Sequence, residues 1–246
     1  MSGSATSFVA ARLLLPDYIV QGQDTAISCP LYQNGVIVAV DSGTVSVFDS
    51  SNTAVVSGAS VTVDGDGIAS YTVLGATTAT KTRGMGWRIE WSLTIGSSTT
   101  VYRNSAGLVR SRLFPVVTDA DLYRRESGLN PAGNAPISSL TTYQDKLDEA
   151  FVTLEGKLAG KGSLPHLVME PTALREPLLF LTLHLVFEDF RTRLNETWSE
   201  KSKDYKAAFE KSWDGLAFEY DTTDSGQSDG RRKKSAQPSF WMGGFD

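Results

Sequence analysis

The sequence of 246 residues predicts an α+β protein with two domains, an N-terminal antiparallel β-sandwich and an α-helical bundle, followed by a flexible C-terminal tail. Residues 8–115 are rich in Val, Thr, Ser, Ile and Gly, and their short alternating runs are typical of half-buried strands. Residues 117–220 repeat apolar side chains at helical intervals. Residues 221–246 begin with Ser, Thr, Gly and Asp, a composition typical of linkers.

Charge and composition limit the class of protein. Residues 1–116 hold 7 basic and 7 acidic side chains, whereas residues 117–220 hold 12 basic and 17 acidic ones, which supports a boundary near residue 115. The formal charge of −5 does not indicate a general nucleic-acid-binding protein. A single cysteine, Cys29, excludes an internal disulfide, and its alternating surroundings predict a small buried residue. The first residues carry no positive charge, so we expect no secretory signal and folding in a cytosol.

Alternation and turn signals predict the strands of the first domain. Residues 64–67, Asp-Gly-Asp-Gly, follow an alternating run and are typical of a hairpin turn. Along residues 87–95 the apolar side chains fall on one face and the polar ones on the other, as in a half-exposed antiparallel sheet. About six to eight short strands at this spacing predict an immunoglobulin-like sandwich. Trp87 and Trp91 share the apolar face, so we expect them in the core.

No stretch of the sequence matches a catalytic or metal-binding motif. Residues 64–67 lack the alternating ligands and the closing Glu that an EF-hand calcium loop needs. The histidines are His166 and His184, and without a cysteine cluster they do not predict a metal site. Neither a nucleophile turn with its Ser/His/Asp partners nor a Gly-rich phosphate loop is present. We therefore expect a protein that is not an enzyme and has no cofactor or metal.

Two amphipathic helices are expected at the start of the second domain. Thr118 is a good N-cap, and Asp119 and Asp121 in the first turn suit the helix dipole. A longer helix is predicted over residues 139–158. Its apolar stripe has six members: Leu140, Tyr143, Leu147, Phe151, Leu154 and Leu158. Their intervals of three and four residues place one face of this helix in a core.

Residues 171–198 predict the central helix of the domain because they are apolar nearly all round. The run is too short to span a bilayer, which needs about 20 apolar residues, so no membrane contact is expected. Pro177 marks either the true start of the helix or a kink. A charged helix follows over residues 199–218, with one apolar stripe. The two helices could be continuous, as a rod of about 45 residues and roughly 68 Å.

The tail combines a basic cluster with an aromatic end. Residues 221–230 are expected to be a flexible linker, and Arg231, Arg232, Lys233 and Lys234 follow. The basic cluster could contact nucleic acid or steer docking to an acidic partner. Four large apolar side chains close the sequence: Phe240, Trp241, Met242 and Phe245. They could anchor the tail in the groove of a partner, or fold back on their own domain.

The order of these elements resembles a known family. Residues 116–122 (Val-Val-Thr-Asp-Ala-Asp-Leu), a short helix, a long amphipathic helix, an apolar helix, a charged helix and a loose tail resemble the head-to-tail connector (adaptor) proteins of tailed bacteriophages. The resemblance covers residues 116–246. It implies a helical bundle that assembles as a ring, usually a dodecamer, beneath the portal protein, with DNA passing through. The immunoglobulin-like domain departs from the minimal family member.

The same resemblance implies partners and a location. Phe240, Trp241, Met242 and Phe245 would dock the C-terminal tail into the portal, and a tail, stopper or neck protein would bind below. The expected location is the head-tail junction of the virion, after assembly in the host cytoplasm. Another neck, tail-completion or baseplate protein is the first alternative. A cell-surface or carbohydrate-binding module on a helical stalk is the second, and the missing secretory signal argues against it.

Overall fold

A computed structural model describes residues 10–11, 16–133, 136 and 139–233. The chain divides into two compact units between Arg112 and Leu113. The strands of the first unit are β1 (Ala10–Ala11), β2 (Asp17–Val20), β3 (Thr25–Cys29), β4 (Leu31–Gln33), β5 (Val36–Ile37), β6 (Ser42–Phe48), β7 (Ala54–Ser60), β8 (Thr62–Val63), β9 (Ala69–Val73), β10 (Gly84–Ile95) and β11 (Ser98–Val109), with a one-turn helix α1 (Gly75–Thr78). Strands and helices are both present, as the predicted α+β class requires.

The strands of the first unit form three sheets. The largest has the order β2-β11-β10-β6-β7, the second β3-β9-β8, and the smallest β1-β4-β5. Pairing is antiparallel throughout except between β2 and β11, which run parallel. The β10–β11 pair is the longest, from Gly84 opposite Leu108 to Ile95 opposite Ser98.

Strand β10 shows why the sheets pack. Trp87, Ile89, Trp91 and Leu93 are all buried, and the alternate residues are partly exposed, as the period of two predicts. Residues from the largest and the second sheet share one buried core, so their apolar faces meet. Cys29 lies fully buried in that core. Burial, with a smaller effect of Asp17, raises the pKa of the Cys29 thiol to about 12, so it is a packing residue.

The turn predicted at residues 64–67 is confirmed. The side-chain Oδ1 of Asp64 accepts hydrogen bonds from the backbone N–H groups of Asp66 and Ile68, at 3.0 and 2.9 Å. Gly67 has φ of +82°, a backbone conformation that favours glycine. A Cβ atom at this position would also clash with Ala39. The Asp64 carboxylate therefore closes a turn with its own backbone, as short polar side chains commonly do.

The second unit consists mainly of helices. They are α2 (Asp119–Arg125), α3 (Gln144–Ala159), α4 (Arg175–Arg193) and α5 (Ser199–Asp214), and two strands follow, β12 (Ala217–Tyr220) and β13 (Gly230–Lys233). The predicted N-cap is confirmed, because Thr118 and Asp121 form a capping box. Among the described helices, none is both long and apolar enough to cross a bilayer.

Helix α3 begins at Gln144, five residues later than the predicted start at residue 139. The Asp119 carboxylate accepts hydrogen bonds from the Thr142 hydroxyl, at 2.6 Å, and the Tyr143 backbone N–H, at 3.0 Å. These bonds hold the preceding residues against α2 in a non-helical conformation. Tyr143 and the partly buried Leu140 still pack on the core, so the apolar stripe was predicted correctly while the helix boundary was not.

Helix α4 is the centre of the second unit. Nine of its residues are buried, and residues of α2, α3, α5 and β12 join the same core. A 3₁₀ turn over Pro171–Leu174 leads into it. Pro177 lies in its first turn, where the helix does not need the missing N–H. The apolar character of this helix is therefore explained by the several elements that pack against it.

The possible continuous rod does not form, because α4 and α5 are separate helices that make a helical hairpin. Helix α4 ends at Arg193, and a 3₁₀ turn over Glu196–Trp198 precedes α5. The Asn195 side chain caps that turn by accepting from the Thr197 N–H at 3.0 Å. Nδ1 of His184 lies 3.0 Å from Oγ of Ser202, although 18 residues of one straight helix would separate them by about 27 Å.

Candidate functional site

The chain leaves α5 into an antiparallel pair of strands, which we call the C-terminal hairpin (β12, β13 and residues 221–229). The charged helix was predicted to reach residue 218, but it ends at Asp214. Phe218 and Tyr220 are buried while Ala217 and Glu219 are half-buried, so the chain here alternates as a strand. Residues 217 and 220 lie opposite Lys233 and Gly230.

The loop of this hairpin is closed by Asp221. Its carboxylate accepts hydrogen bonds from the backbone N–H groups of Thr223, Ser225 and Gly226. Burial raises the pKa of Asp221, but the bonds from Gly226, Ser225 and Thr223 have the larger combined effect and hold that pKa below its usual value. Where the sequence predicted a flexible linker, residues 221–230 thus form a turn organised around one carboxylate.

Neighbouring segments fix β12 to the body of the unit. Val168 forms a β-bridge with Tyr220, and the Met169 N–H donates to the Glu219 carbonyl at 3.0 Å. The Tyr220 hydroxyl accepts a hydrogen bond from the Leu164 N–H at 2.8 Å. The position and direction of the C-terminal hairpin are therefore set by the same core that holds α4.

Strand β13 carries three of the four predicted basic residues. Arg231 lies opposite Glu219, Arg232 opposite Phe218, and Lys233 opposite Ala217. Among the described residues, the outer edge of β13 pairs with no strand. Basic residues on such an edge oppose the addition of further strands. Lys234 lies outside the described residues.

The predicted docking anchors also lie outside the described residues. They are Phe240, Trp241, Met242 and Phe245, and the stretch that contains them, residues 240–245, is called the aromatic segment below. The structure thus brings Arg231, Arg232 and Lys233 onto one strand. It leaves the contacts of the anchors as a prediction.

A groove lies between α3, α4 and α5, with a volume of about 520 Å³. Its apolar part consists of Leu181, Phe209 and Trp213, and the rings of Phe209 and Trp213 stack with centroids 6.2 Å apart. Three exposed lysines line its opening, Lys157, Lys161 and Lys206. We call it the lysine groove. His184, Glu210 and Asp214 complete the lining.

Sequence reasoning missed the lysine groove because its parts are far apart in the chain. The periodicity correctly placed Phe209 and Trp213 on the apolar stripe of α5. It did not indicate that Lys157, at the end of α3, would reach them. In the structure Nζ of Lys157 lies 5.5 Å from the centroid of the Phe209 ring, within cation–π range.

Polar contacts hold α5 onto α2 on another side of the helical hairpin. The Tyr205 hydroxyl and the Lys201 ammonium donate to the two carboxylate oxygens of Glu126, at 2.6 and 2.7 Å. Burial, together with the Glu126 bond and charge, raises the pKa of Tyr205 to about 12. These partly buried contacts are structural, because donors and acceptor satisfy one another.

The histidines lie in separate places. His166 is buried, which lowers its pKa, and His184 faces Ser202 across the helical hairpin. Within the part of the chain that the structure describes, no group of three or more His, Cys, Asp or Glu side chains is arranged to hold a metal ion.

Comparison with known proteins identifies no relative: no protein-family model, curated protein or solved structure matches the chain. The proposal below therefore rests on the connector resemblance and the C-terminal hairpin.

Proposed function

We propose that the chain is a structural virion protein of a tailed bacteriophage, a head-to-tail connector that forms a dodecameric ring under the portal protein. Its C-terminal tail docks into the portal, a tail, stopper or neck protein binds below, and DNA passes through without sequence-specific contacts. The observation that carries this proposal is the C-terminal hairpin. It is fixed to the helical core and leads, through basic residues, to the aromatic segment.

The strand order supports the finer part of the fold, an immunoglobulin-like sandwich. In a variable-type domain one sheet has the order G-F-C-C′ and the other contains B-E-D. The order β11-β10-β6-β7 in one sheet and β3-β9-β8 in the other fits this plan. The conserved pair of cysteines of antibody domains is replaced by Cys29 on β3 and apolar residues, including two tryptophans, on β10. The second unit is then a helical bundle around α4.

The charge of the helical region suits a ring of identical subunits around DNA. The helical region, residues 117–220, holds 12 basic and 17 acidic side chains, and a channel lined by copies of it would repel DNA and let it pass. Closed rings arise when identical subunits associate head to tail. Many identical tails, each ending in aromatic residues, would then attach the ring by multivalent docking.

Docking of the aromatic segment explains its composition. Aromatic side chains contribute much of the binding free energy at protein interfaces, and exposed groups of them favour aggregation. Because the C-terminal hairpin is held in place, each tail starts from a defined point on the ring. That arrangement raises the local concentration of anchors at the portal.

The proposal is tested by mixing the purified protein with the portal protein of the same virus and imaging the particles by negative-stain electron microscopy. We expect rings bound to portals. A variant that lacks residues 237–246 should keep its helical and β content by circular dichroism but lose attachment. Attachment that survives this deletion would contradict the docking role of the tail.

Point variants separate the aromatic residues from the rest of the tail. Phe240→Ser combined with Trp241→Ser should abolish portal binding, whereas the matched pair Ser235→Ala and Ser239→Ala should not. If the protein instead is monomeric, does not bind the portal and binds glycans, the alternative of a carbohydrate-binding module on a helical stalk is correct. Binding to another neck or baseplate component would assign it to a different position in the virion.

A further inference from the structure

The described chain ends close to the lysine groove. Lys233 pairs with Ala217, and Ala217 lies three residues beyond Asp214, which lines the groove. Paired strands lie about 5 Å apart, and three residues span at most about 10 Å. Lys233 is therefore within about 15 Å of one end of the groove.

The residues that follow are long enough to enter it. The groove extends along α5 from Asp214 to Lys206, eight residues or about 12 Å of helix. The far end of the groove is at most about 27 Å from Lys233, and residues 234–245 can span about 40 Å when extended. The aromatic segment of the same chain can therefore reach every part of the lysine groove.

The chemistry of the groove matches the segment. The apolar lining is aromatic and aliphatic. The exposed lysines give the opening three positive charges, and Glu210 and Asp214 contribute two negative charges. Residues 235–246 contain four large apolar side chains and one acid, Asp246, and no Lys or Arg. A volume of about 520 Å³ is within the range of binding pockets and accommodates one or two aromatic side chains.

We propose that the lysine groove is the docking site of the aromatic segment, residues 240–245, of the same chain. Trp241 and its neighbours contact Leu181, Phe209 and Trp213, and Asp246 lies among Lys157, Lys161 and Lys206. This intramolecular contact covers the aromatic side chains until a partner takes them. It does not depend on which partner that is, and so it stands independently of the portal.

A docked segment has a measurable consequence, because a tethered ligand competes with a free one. The effective concentration of a segment on a short linker is in the millimolar range. A free copy of the segment should therefore bind weakly to the full chain and more tightly to a chain from which the segment has been removed.

The test uses a fluorescent peptide of residues 235–246 and two proteins, the full chain and the variant lacking residues 237–246. We expect fluorescence anisotropy to show binding to the deletion variant that is about tenfold or more tighter than binding to the full chain. Equal binding to both proteins, or binding to neither, would overturn the proposal.

Charge-reversed variants locate the site. In the deletion variant, Lys157→Glu combined with Lys206→Glu should weaken peptide binding about tenfold at low salt. The matched pair Lys203→Glu and Lys211→Glu makes the same charge change on exposed residues of α5 that do not line the groove, and should have a much smaller effect. Equal effects of the two pairs would show general charge attraction and contradict the site.

Molar mass measured by light scattering distinguishes the same chain from a second copy. We expect the deletion to leave the molar mass unchanged at low concentration. If the full chain is a dimer and the deletion variant a monomer, the segment occupies a neighbour's groove and the intramolecular form is wrong. Failure of portal binding in the imaging experiment would leave these outcomes unaffected.

Discussion

At the scale of single residues, a few carboxylates organise the segments that connect the helices. Asp221 closes the loop of the C-terminal hairpin, and Asp119 sets the start of α3. Glu126 accepts hydrogen bonds from Tyr205 and Lys201 of α5. In each case the carboxylate accepts two or more hydrogen bonds, so one side chain fixes several groups of a neighbouring segment.

Replacing Asp221 with alanine should release the C-terminal hairpin. The substitution removes a buried carboxylate that accepts three partly buried hydrogen bonds from the backbone of the loop, at a cost of about 2 kcal/mol. Hydrogen exchange should show lost protection for residues 217–233. Asp204→Ala, an exposed carboxylate on α5, is the matched control and should change the exchange little. Unchanged protection in Asp221→Ala would contradict the role of this carboxylate.

The ionisation of Glu188 should make the stability of the helical hairpin depend on pH. Its carboxylate accepts hydrogen bonds from Arg191 on its own helix and from the Ser202 hydroxyl of α5, and these bonds lower its pKa to about 2. The pKa is lower in the folded protein than in the unfolded chain, where it is about 4.3. The ionised Glu188 carboxylate therefore contributes its full stabilisation above about pH 4.3. This stabilisation is lost as the pH falls through about 2.

Urea unfolding of the wild type and Glu188→Gln at several pH values tests this. The difference in the free energy of unfolding should be constant near neutral pH and vanish towards pH 2. Glu200→Gln, an exposed residue in the first turn of α5, serves as the control for loss of a charge. A Glu188 difference that persists unchanged at pH 2 would show that its charge is not what matters.

At the scale of elements, α4 illustrates what periodicity can and cannot predict. The apolar run correctly predicted a helix surrounded by neighbours, and the stripes of α3 and α5 correctly predicted the faces that meet it. Amphipathicity depends on neighbouring residues in the sequence, so one sequence is enough to read it. The reversal between α4 and α5 depends on the packing of Phe187 against Tyr205 and Trp198, which a single helix pattern does not reveal.

A leucine pair on this hairpin tests the packing. Leu183 is fully buried in the core, so Leu183→Ala should lower the free energy of unfolding by about 3 kcal/mol. Leu194, just after the helix, is 43% exposed, and the same substitution there should cost less than about 1 kcal/mol. Denaturant unfolding measures both values. Similar costs at the two positions would contradict the predicted role of α4 as the centre of the unit.

At the scale of the whole molecule, the described residues form two buried cores, one in each unit. One belongs to the sheets and contains Trp91, and the other surrounds α4 and contains Leu183. The two units divide between Arg112 and Leu113. Separate cores permit the β unit and the helical unit to open independently, because cooperative opening follows contiguous packing.

Substitution of one tryptophan tests this independence. Trp91→Ala removes a fully buried side chain from the first core and should destabilise that unit by about 3–5 kcal/mol. Hydrogen exchange should show lower protection within residues 16–112, whereas residues 113–233 should keep theirs. Leu183→Ala should produce the opposite pattern. A uniform loss of protection in either variant would show that the two units unfold as one.

The sequence alone determined the α+β fold class, the alternating strand β10, the turn at residues 64–67, the cap at Thr118 and the apolar faces of the helices. All of these depend on residues that are neighbours along the chain. Only the tertiary structure decided the features that depend on contacts between distant residues. These are the start of α3 at Gln144, the α4–α5 hairpin, the strand β12 beside Val168 and the lysine groove. Local periodicity reports which face is buried, and the identity of the neighbour that buries it is a property of the folded chain.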